Sequence, residues 1–259
     1  MSYIPYAFFS ILEVSPGPLG VQVINLLFEF VTVIFVYLIT ALLLNADPHK
    51  QVIRTAWLAS CIYLFLPATL WFQSNVYMAD MFVQNLWAPA LYLSLKIFID
   101  RKEKSPVWVS AFVLSLFLMI YTDWLGVFFA GSVGVTAIGY RWKRNQKSFL
   151  PLAVVTLLVS VVTVSLVLFQ YSSIAGWNTL MYSYTHRYGE RGSLHWGNFS
   201  HLLSVIQTIA FNYAVNYLPV LILAVVFLFK RKKVLRQFEH FPLFVSLTLL
   251  PVIIDYLLS

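Results

Sequence analysis

Six carboxylates and two arginines are the residues of this chain whose placement could support chemistry. Of ten acids, Asp47, Asp100, Glu103 and Glu239 fall in short basic connections between apolar runs and read as solvated loop charges. Glu13, Glu29, Asp80, Asp123, Glu190 and Asp255 lie on the other side of those runs or inside them. A carboxylate near hydrocarbon is costly to hold and faces a cavity or a partner by default. Asp80 sits in Asn75-Val76-Tyr77-Met78-Ala79-Asp80-Met81, where a loop enters a helix. There it can cap free amides and complement the helix dipole, or present a rigid, ionised carboxylate to a substrate. Asp123, in Tyr121-Thr122-Asp123-Trp124-Leu125-Gly126, joins two apolar runs with almost no connection. It can cap the following helix or form the floor of a cavity. Together the two aspartates are the candidate catalytic pair, for positioning an acceptor hydroxyl or contacting a metal.

The second cluster is Tyr182-Ser183-Tyr184-Thr185-His186-Arg187-Tyr188-Gly189-Glu190-Arg191-Gly192-Ser193-Leu194-His195-Trp196. Arginine forks bind phosphate bidentately, and tyrosine and tryptophan faces stack on sugar rings. Arg187, Arg191, His186, Glu190 and Tyr184 therefore form a candidate phosphate or substrate site, for a phosphate or pyrophosphate linked to a lipid. The bland alternative is a loop folded on itself by pairing of Glu190 with Arg187 and Arg191. His186 and His195 have poor metal spacing, so no metal ligand set is assigned; a divalent ion at the aspartates is an open addition. Glu29, near Asn25 and about two turns into an apolar run, is a further intramembrane acid that a neighbouring helix could satisfy. Asn198-Phe199-Ser200 matches a glycosylation acceptor, with meaning only in a host that glycosylates.

The elements that must position these groups are apolar runs. The 259 residues are 60% hydrophobic and 10% charged, against about 25% charged in a soluble domain. Eight spans are expected, at roughly 21–44, 53–72, 81–99, 106–121, 124–140, 149–169, 205–229 and 241–258, each needing about 20 apolar residues or slightly fewer. Backbone bonding in lipid makes them helices. Ser105-Pro106 and Phe149-Leu150-Pro151 suit helix starts, and Pro67, Pro89 and Pro219 predict kinks inside spans. The expected fold class is thus all-α: a polytopic, single-domain membrane protein with an outer interfacial segment at 1–20 and a long outer loop at 170–204. The single cysteine, Cys61, excludes an internal disulfide and reads as a small packing residue.

Charge fixes the expected orientation. Lys50/Arg54, Lys96, Arg101/Lys102/Lys104, Arg141/Lys143/Arg144/Lys147 and Lys230 to Lys233 with Arg236 all fall on one face if every run crosses once, which is 15 of 17 basic residues. That face is cytoplasmic by the positive-inside rule; Arg187 and Arg191 are then opposite. The net charge of +7 is spread over these loops and follows no groove, so anionic lipid rather than nucleic acid accounts for it. The expected location is a bacterial or archaeal plasma membrane. This topology puts residues 1–20 outside with no signal peptide ahead of them. Together with the apolar ending Leu257-Leu258-Ser259, it makes both ends read as cuts through a larger protein.

The layout resembles a known group. A Pro/aromatic segment (Tyr3-Ile4-Pro5-Tyr6-Ala7-Phe8-Phe9) and a Gly/Pro hinge (Pro16-Gly17-Pro18-Leu19-Gly20) precede a long span with Asn25. A span with Phe65-Leu66-Pro67 follows, then the aspartate opening the next helix, then the tight turn Thr122-Asp123-Trp124-Leu125-Gly126. Over residues 1–170 this is similar to the membrane core of the GT-C fold glycosyltransferases, in the protein-mannosyltransferase and aminoarabinose-transferase superfamily. The resemblance implies a polyprenyl-phosphate-linked sugar as donor, a lipid, glycan or protein acceptor, and inverting transfer at the extracytoplasmic face. It also implies that Asp80 is a second active-site acid, since the family's principal base sits in an acidic first outer loop that has no counterpart here. Two other readings compete. One is a multispan transporter or flippase component using Glu29, Asp80 and Asp255 as an ion path; the other is a noncatalytic membrane subunit.

Overall fold

In lipid no water is present to satisfy backbone N–H and C=O groups, so apolar runs of this length close their hydrogen bonds internally as helices. The computed structural model describes residues 10, 18–44, 50–66, 69, 79–99, 106–144, 149–179, 181–182, 185–186, 207, 211, 222 and 240–258. Among them seven long helices form and no strand does. These are α1 (Pro18–Leu44), α2 (Lys50–Leu64), α3 (Ala79–Ile99), α4 (Pro106–Thr122), α5 (Leu125–Arg144), α6 (Leu150–Ala175) and α7 (Phe241–Leu258). Pro18, Pro106 and Pro151 fall in the first turns of their helices, where a missing N–H costs nothing.

Among the described residues, three stretches are long and apolar enough to cross a membrane: Gln22–Leu44, Phe82–Ile99 and Leu150–Ala175. Shorter apolar helices cover Val52–Leu64, Pro106–Thr122, Leu125–Tyr140 and Pro242–Pro251. The spans differ in setting. Of Phe82–Ile99, 56% is buried inside the protein, against 17% of an 18-residue window of Leu150–Ala175, so α3 is a central helix and α6 a peripheral one. α6 exposes Val154, Leu157, Leu158, Val161, Val162 and Phe169, and α1 exposes Val23, Leu26, Leu27, Phe30, Val31 and Ile34. Apolar surface that extensive suits a lipid environment and not water.

Side-chain contacts fix the helix directions. Phe28 meets Phe82 with ring centroids 4.7 Å apart, and Phe35 meets Tyr92 at 5.7 Å, so α1 and α3 run parallel. Tyr37 meets Trp57 at 5.7 Å, and the Ser60 hydroxyl donates to the Val33 carbonyl at 3.3 Å, so α2 runs antiparallel to α1. At the other side of α3, Lys96 Nζ lies 3.9 Å from the centre of the Trp108 ring. Phe98, Tyr140 and Phe149 form an aromatic triad with centroids 5.2 to 5.8 Å apart. The C-terminal ends of α3 and α5 therefore meet the N-terminal ends of α4 and α6. The core between these helices is built by Leu95, Phe112, Leu116, Met119, Phe129, Val133, Ala137 and Leu247, the last from α7, which packs chiefly on α5.

Three expectations change. Of the run expected at 53–72, α2 covers the part up to Leu64; Phe65 turns and Leu66 leaves the helix. Proline disfavours the α conformation in the residue before it, which suits the break at Leu66; Pro67 itself, where a kink is expected, lies outside the described residues. The run expected to stop at 169 continues to Ala175. Ser172 and Ser173 return their hydroxyls to the Phe169 and Gln170 carbonyls, and the helix stops at Gly176, whose φ of 77° suits glycine. At 26 residues α6 is about 39 Å long, more than a bilayer core requires. Cys61, expected to pack, is exposed. Pro89 lies inside α3 and Pro251 inside α7. Pro219 and nearly all of the span expected at 205–229 lie outside the described residues.

Candidate functional site

The contacts above give the bundle two distinct ends. Lys50 and Arg54 open α2, Lys96 closes α3, and Arg141, Lys143 and Arg144 close α5, all at one end. The first turn of α3, the α4–α5 turn and the C-terminal end of α6 lie at the other; Tyr121 Oη donates to Gln170 Oε1 at 3.0 Å and ties α4 to α6 there. Asp80, as the second residue of α3, and Asp123 therefore share the end opposite the basic residues. The side chain of Asp80 lies outside the described residues.

Asp123 ends one helix and starts the next. Its N–H donates to the Met119 carbonyl at 3.0 Å, completing α4, and its carbonyl accepts from the Gly126 N–H at 3.1 Å. Its Oδ1 accepts from the Leu125 N–H at 2.8 Å, satisfying one amide that the start of α5 would leave open. A Cβ on Gly126 would stand 2.5 Å from Ile120 N and 2.7 Å from Ile120 Cα. Only glycine lets the two backbones cross so closely. The hollow beside this turn, lined by Ile120 to Trp124 with Val127, Val164 and Val167, holds about 20 Å³, room for about one water and not for a sugar.

His186 is exposed in a helical turn, its ring 5.7 Å from that of Tyr182. Tyr184, Arg187, Glu190 and Arg191, like His195, lie outside the described residues. Among the described residues no three His, Cys, Asp or Glu side chains converge as a metal site would need.

A second polar region lies inside the bundle. Asn25, Glu29 and Thr32 recur at helical spacing on one face of α1, and each is at most 4% exposed. Asn85 of α3 and Ser60 of α2 are buried as well. The Thr32 hydroxyl lies 2.7 Å from Asn85 Oδ1 and 3.0 Å from the Phe28 carbonyl, one proton serving two acceptors. Asn25 Nδ2 is buried with no acceptor among the described residues. Sequence reasoning singled out Glu29 and Asn25 but missed Thr32 and Asn85. The i, i+4, i+7 spacing of Asn25, Glu29 and Thr32 was the available signal for a buried polar face.

Other hydroxyls in the apolar helices are satisfied locally. Thr122, Ser132, Thr156 and Thr163 each return a proton to a carbonyl three or four residues back. The α1–α3 seam is different because it links side chains of two helices. No family model, curated protein or solved structure matches the chain.

Proposed function

We propose that this chain is the membrane core of a polytopic glycosyltransferase of the GT-C type, with eight spans. It would transfer a sugar from a polyprenyl-phosphate donor to a lipid, glycan or protein acceptor. The observation that carries the reading is the two-ended bundle, with basic residues at one end and the Asp80 helix start and Asp123 turn at the other. Under the positive-inside rule the basic end is cytoplasmic. Both aspartates then face the extracytoplasmic side, where a lipid-linked sugar would be used. The order of a long helix with Asn25, a helix ending at Leu64 ahead of Pro67 in sequence, a helix opened by Asp80 and a two-residue turn at Asp123 also suits that family's layout.

In the proposed reaction the acceptor oxygen bonds to the anomeric carbon as the bond from that carbon to the phosphate oxygen breaks. The electron pair leaves with the phosphate, and the acceptor proton passes to a carboxylate. Asp80 is assigned to the acceptor, and Arg187 and Arg191 to the departing phosphate, whose charge cationic groups stabilise. Asp123 supports the site chiefly as a rigid turn, since its Oδ1 is engaged by α5 and little space adjoins it. A divalent ion at Asp80 would fit the same chemistry.

The buried seam of Asn25, Glu29, Thr32 and Asn85 favours a second reading, a transporter or flippase component, because polar groups between spans also line ion paths. Proteoliposomes separate the two. The transferase reading expects label to move from a radiolabelled polyprenyl-phosphate sugar to an acceptor lipid or glycan. Uptake of a labelled solute with no sugar transferred would establish the transporter instead.

A further inference from the structure

α6 continues past the level at which the hydrocarbon should end. Phe149, in the triad with Phe98 and Tyr140, sets the start of α6 at the basic end of the bundle. About 20 helical residues cross a hydrocarbon core of about 30 Å. That length brings α6 to Gln170, where Tyr121 joins it from the end of α4. Exposed Trp124 in the α4–α5 turn and exposed Tyr171 mark the same level, as interfacial aromatic residues do. The rest of α6, from Tyr171 to Ala175, rises about 8 Å, close to the depth of one headgroup layer. Gly176 then takes φ 77° and ψ 151°. The chain therefore leaves the α6 axis near the outer edge of the headgroups.

Beyond Gly176 the chain is helical again at 177–179, 181–182 and 185–186. The Thr185 hydroxyl donates to the Met181 and Tyr182 carbonyls, both at 3.0 Å, as in a helical turn. Helical spacing sorts the side chains into two faces. Trp177 and Met181 share one, while Thr179, Tyr182 and His186 share the opposite one. Trp177 is 54% exposed and Met181 42%, so nothing among the described residues covers the apolar pair. In the sequence Leu180, Tyr184 and Tyr188 repeat the spacing of that pair, although they lie outside the described residues. In water these apolar groups would gain nothing from their alignment. A two-faced helix that begins at headgroup level has a fitting surface beside it, the boundary that α6 has just crossed.

We propose that the segment beginning at Trp177 is an interfacial helix on the leaflet opposite the basic end, with Trp177 and Met181 seated between headgroups and acyl chains. Gly176 is the joint that turns it off the α6 axis. The inference needs neither a sugar donor nor an acceptor, so it stands or falls apart from the transferase reading.

The test is spin labelling of the whole chain in phosphatidylcholine vesicles, on a Cys61→Ser background. The label is placed in turn by Trp177→Cys, Thr179→Cys, Met181→Cys and Tyr182→Cys, with Leu157→Cys of α6 as the hydrocarbon reference. All five positions are exposed, so the substitutions leave the core packed. Collision with oxygen, which concentrates in lipid, against collision with a water-soluble nickel chelate gives the depth of each label. Labels at 177 and 181 should lie about 5–10 Å inside the headgroup boundary. Those at 179 and 182 should lie about 10 Å further out, the width of a helix, and that at 157 deeper than all four. Four equal depths, in water or in lipid, would overturn the proposal. So would labels at 177 and 181 shielded from both reagents, since protein, from residues 187–239 or a second copy, would then cover the apolar face.

Discussion

The α4–α5 turn and the α1–α3 seam hold polar groups in opposite ways. At the turn, Asp123 uses its N–H, its carbonyl and Oδ1 on backbone neighbours within four residues. In the seam, Thr32 and Asn85 meet across 53 positions of sequence, and Asn25 Nδ2 has no acceptor among the described residues. The first arrangement is local and stiff, and its removal should damage the bundle. The second joins separate helices, and its contribution should be modest in stability and greater in specificity. A polar residue in an apolar chain is therefore no evidence of function until its partners are known.

Stability measurements on purified protein in detergent would sharpen this contrast. The largest effect is expected for Gly126→Ala, because its Cβ would overlap backbone atoms of Ile120 that cannot move without displacing α4. A loss of about 3 kcal/mol is expected from such overpacking, read as a marked fall in unfolding temperature; a neutral result would mean the helices do not cross so closely. Asp123→Ala removes the helix cap and should cost about 1 kcal/mol. Asp123→Asn keeps an oxygen for the Leu125 N–H and should stay within about 0.5 kcal/mol of the parent. Equal losses for the two would make charge, not capping, the role of Asp123. The smallest effect belongs to the seam: a double-mutant cycle of Thr32→Val and Asn85→Leu should give about 0.6 kcal/mol of coupling, as intramembrane side-chain hydrogen bonds do. Coupling near zero would remove the bond at 2.7 Å from the account.

Local signals in the chain were readable where neighbours along the sequence decide the outcome. Pro106 and Pro151 marked helix starts, and the bare Thr122-Asp123-Trp124 connection marked a tight turn. α2 ends at Leu64, short of the run expected to reach 72, and Pro67, read as a kink, lies outside the described residues. The extension of α6 to Ala175 was missed because Gln170, Ser172 and Ser173 look like loop residues. Their side chains satisfy carbonyls of the same helix or reach Tyr121. The Thr32–Asn85 pair depends on which helices are neighbours, and α1 and α3 are separated by α2 in sequence. No spacing rule within one run reports such a pairing. Conversely, charge clustering by run predicted the shared basic end of α3 and α5, which the Phe98–Tyr140–Phe149 triad bears out.

The comparison of regions leads to one decisive assay: sugar transfer from a polyprenyl-phosphate donor by the parent, Asp80→Asn and Glu29→Gln proteins in proteoliposomes, each first matched for unfolding temperature. If chemistry lies at the end where α3 begins, Asp80→Asn should lower turnover by about 100-fold or more, as loss of general-base help does. Glu29→Gln, buried in the seam, should then remain within about threefold of the parent, the change that less than 1 kcal/mol produces. Transfer that survives in Asp80→Asn but is lost in Glu29→Gln would contradict the account and move the reaction, or the transport it masks, into the seam between α1 and α3.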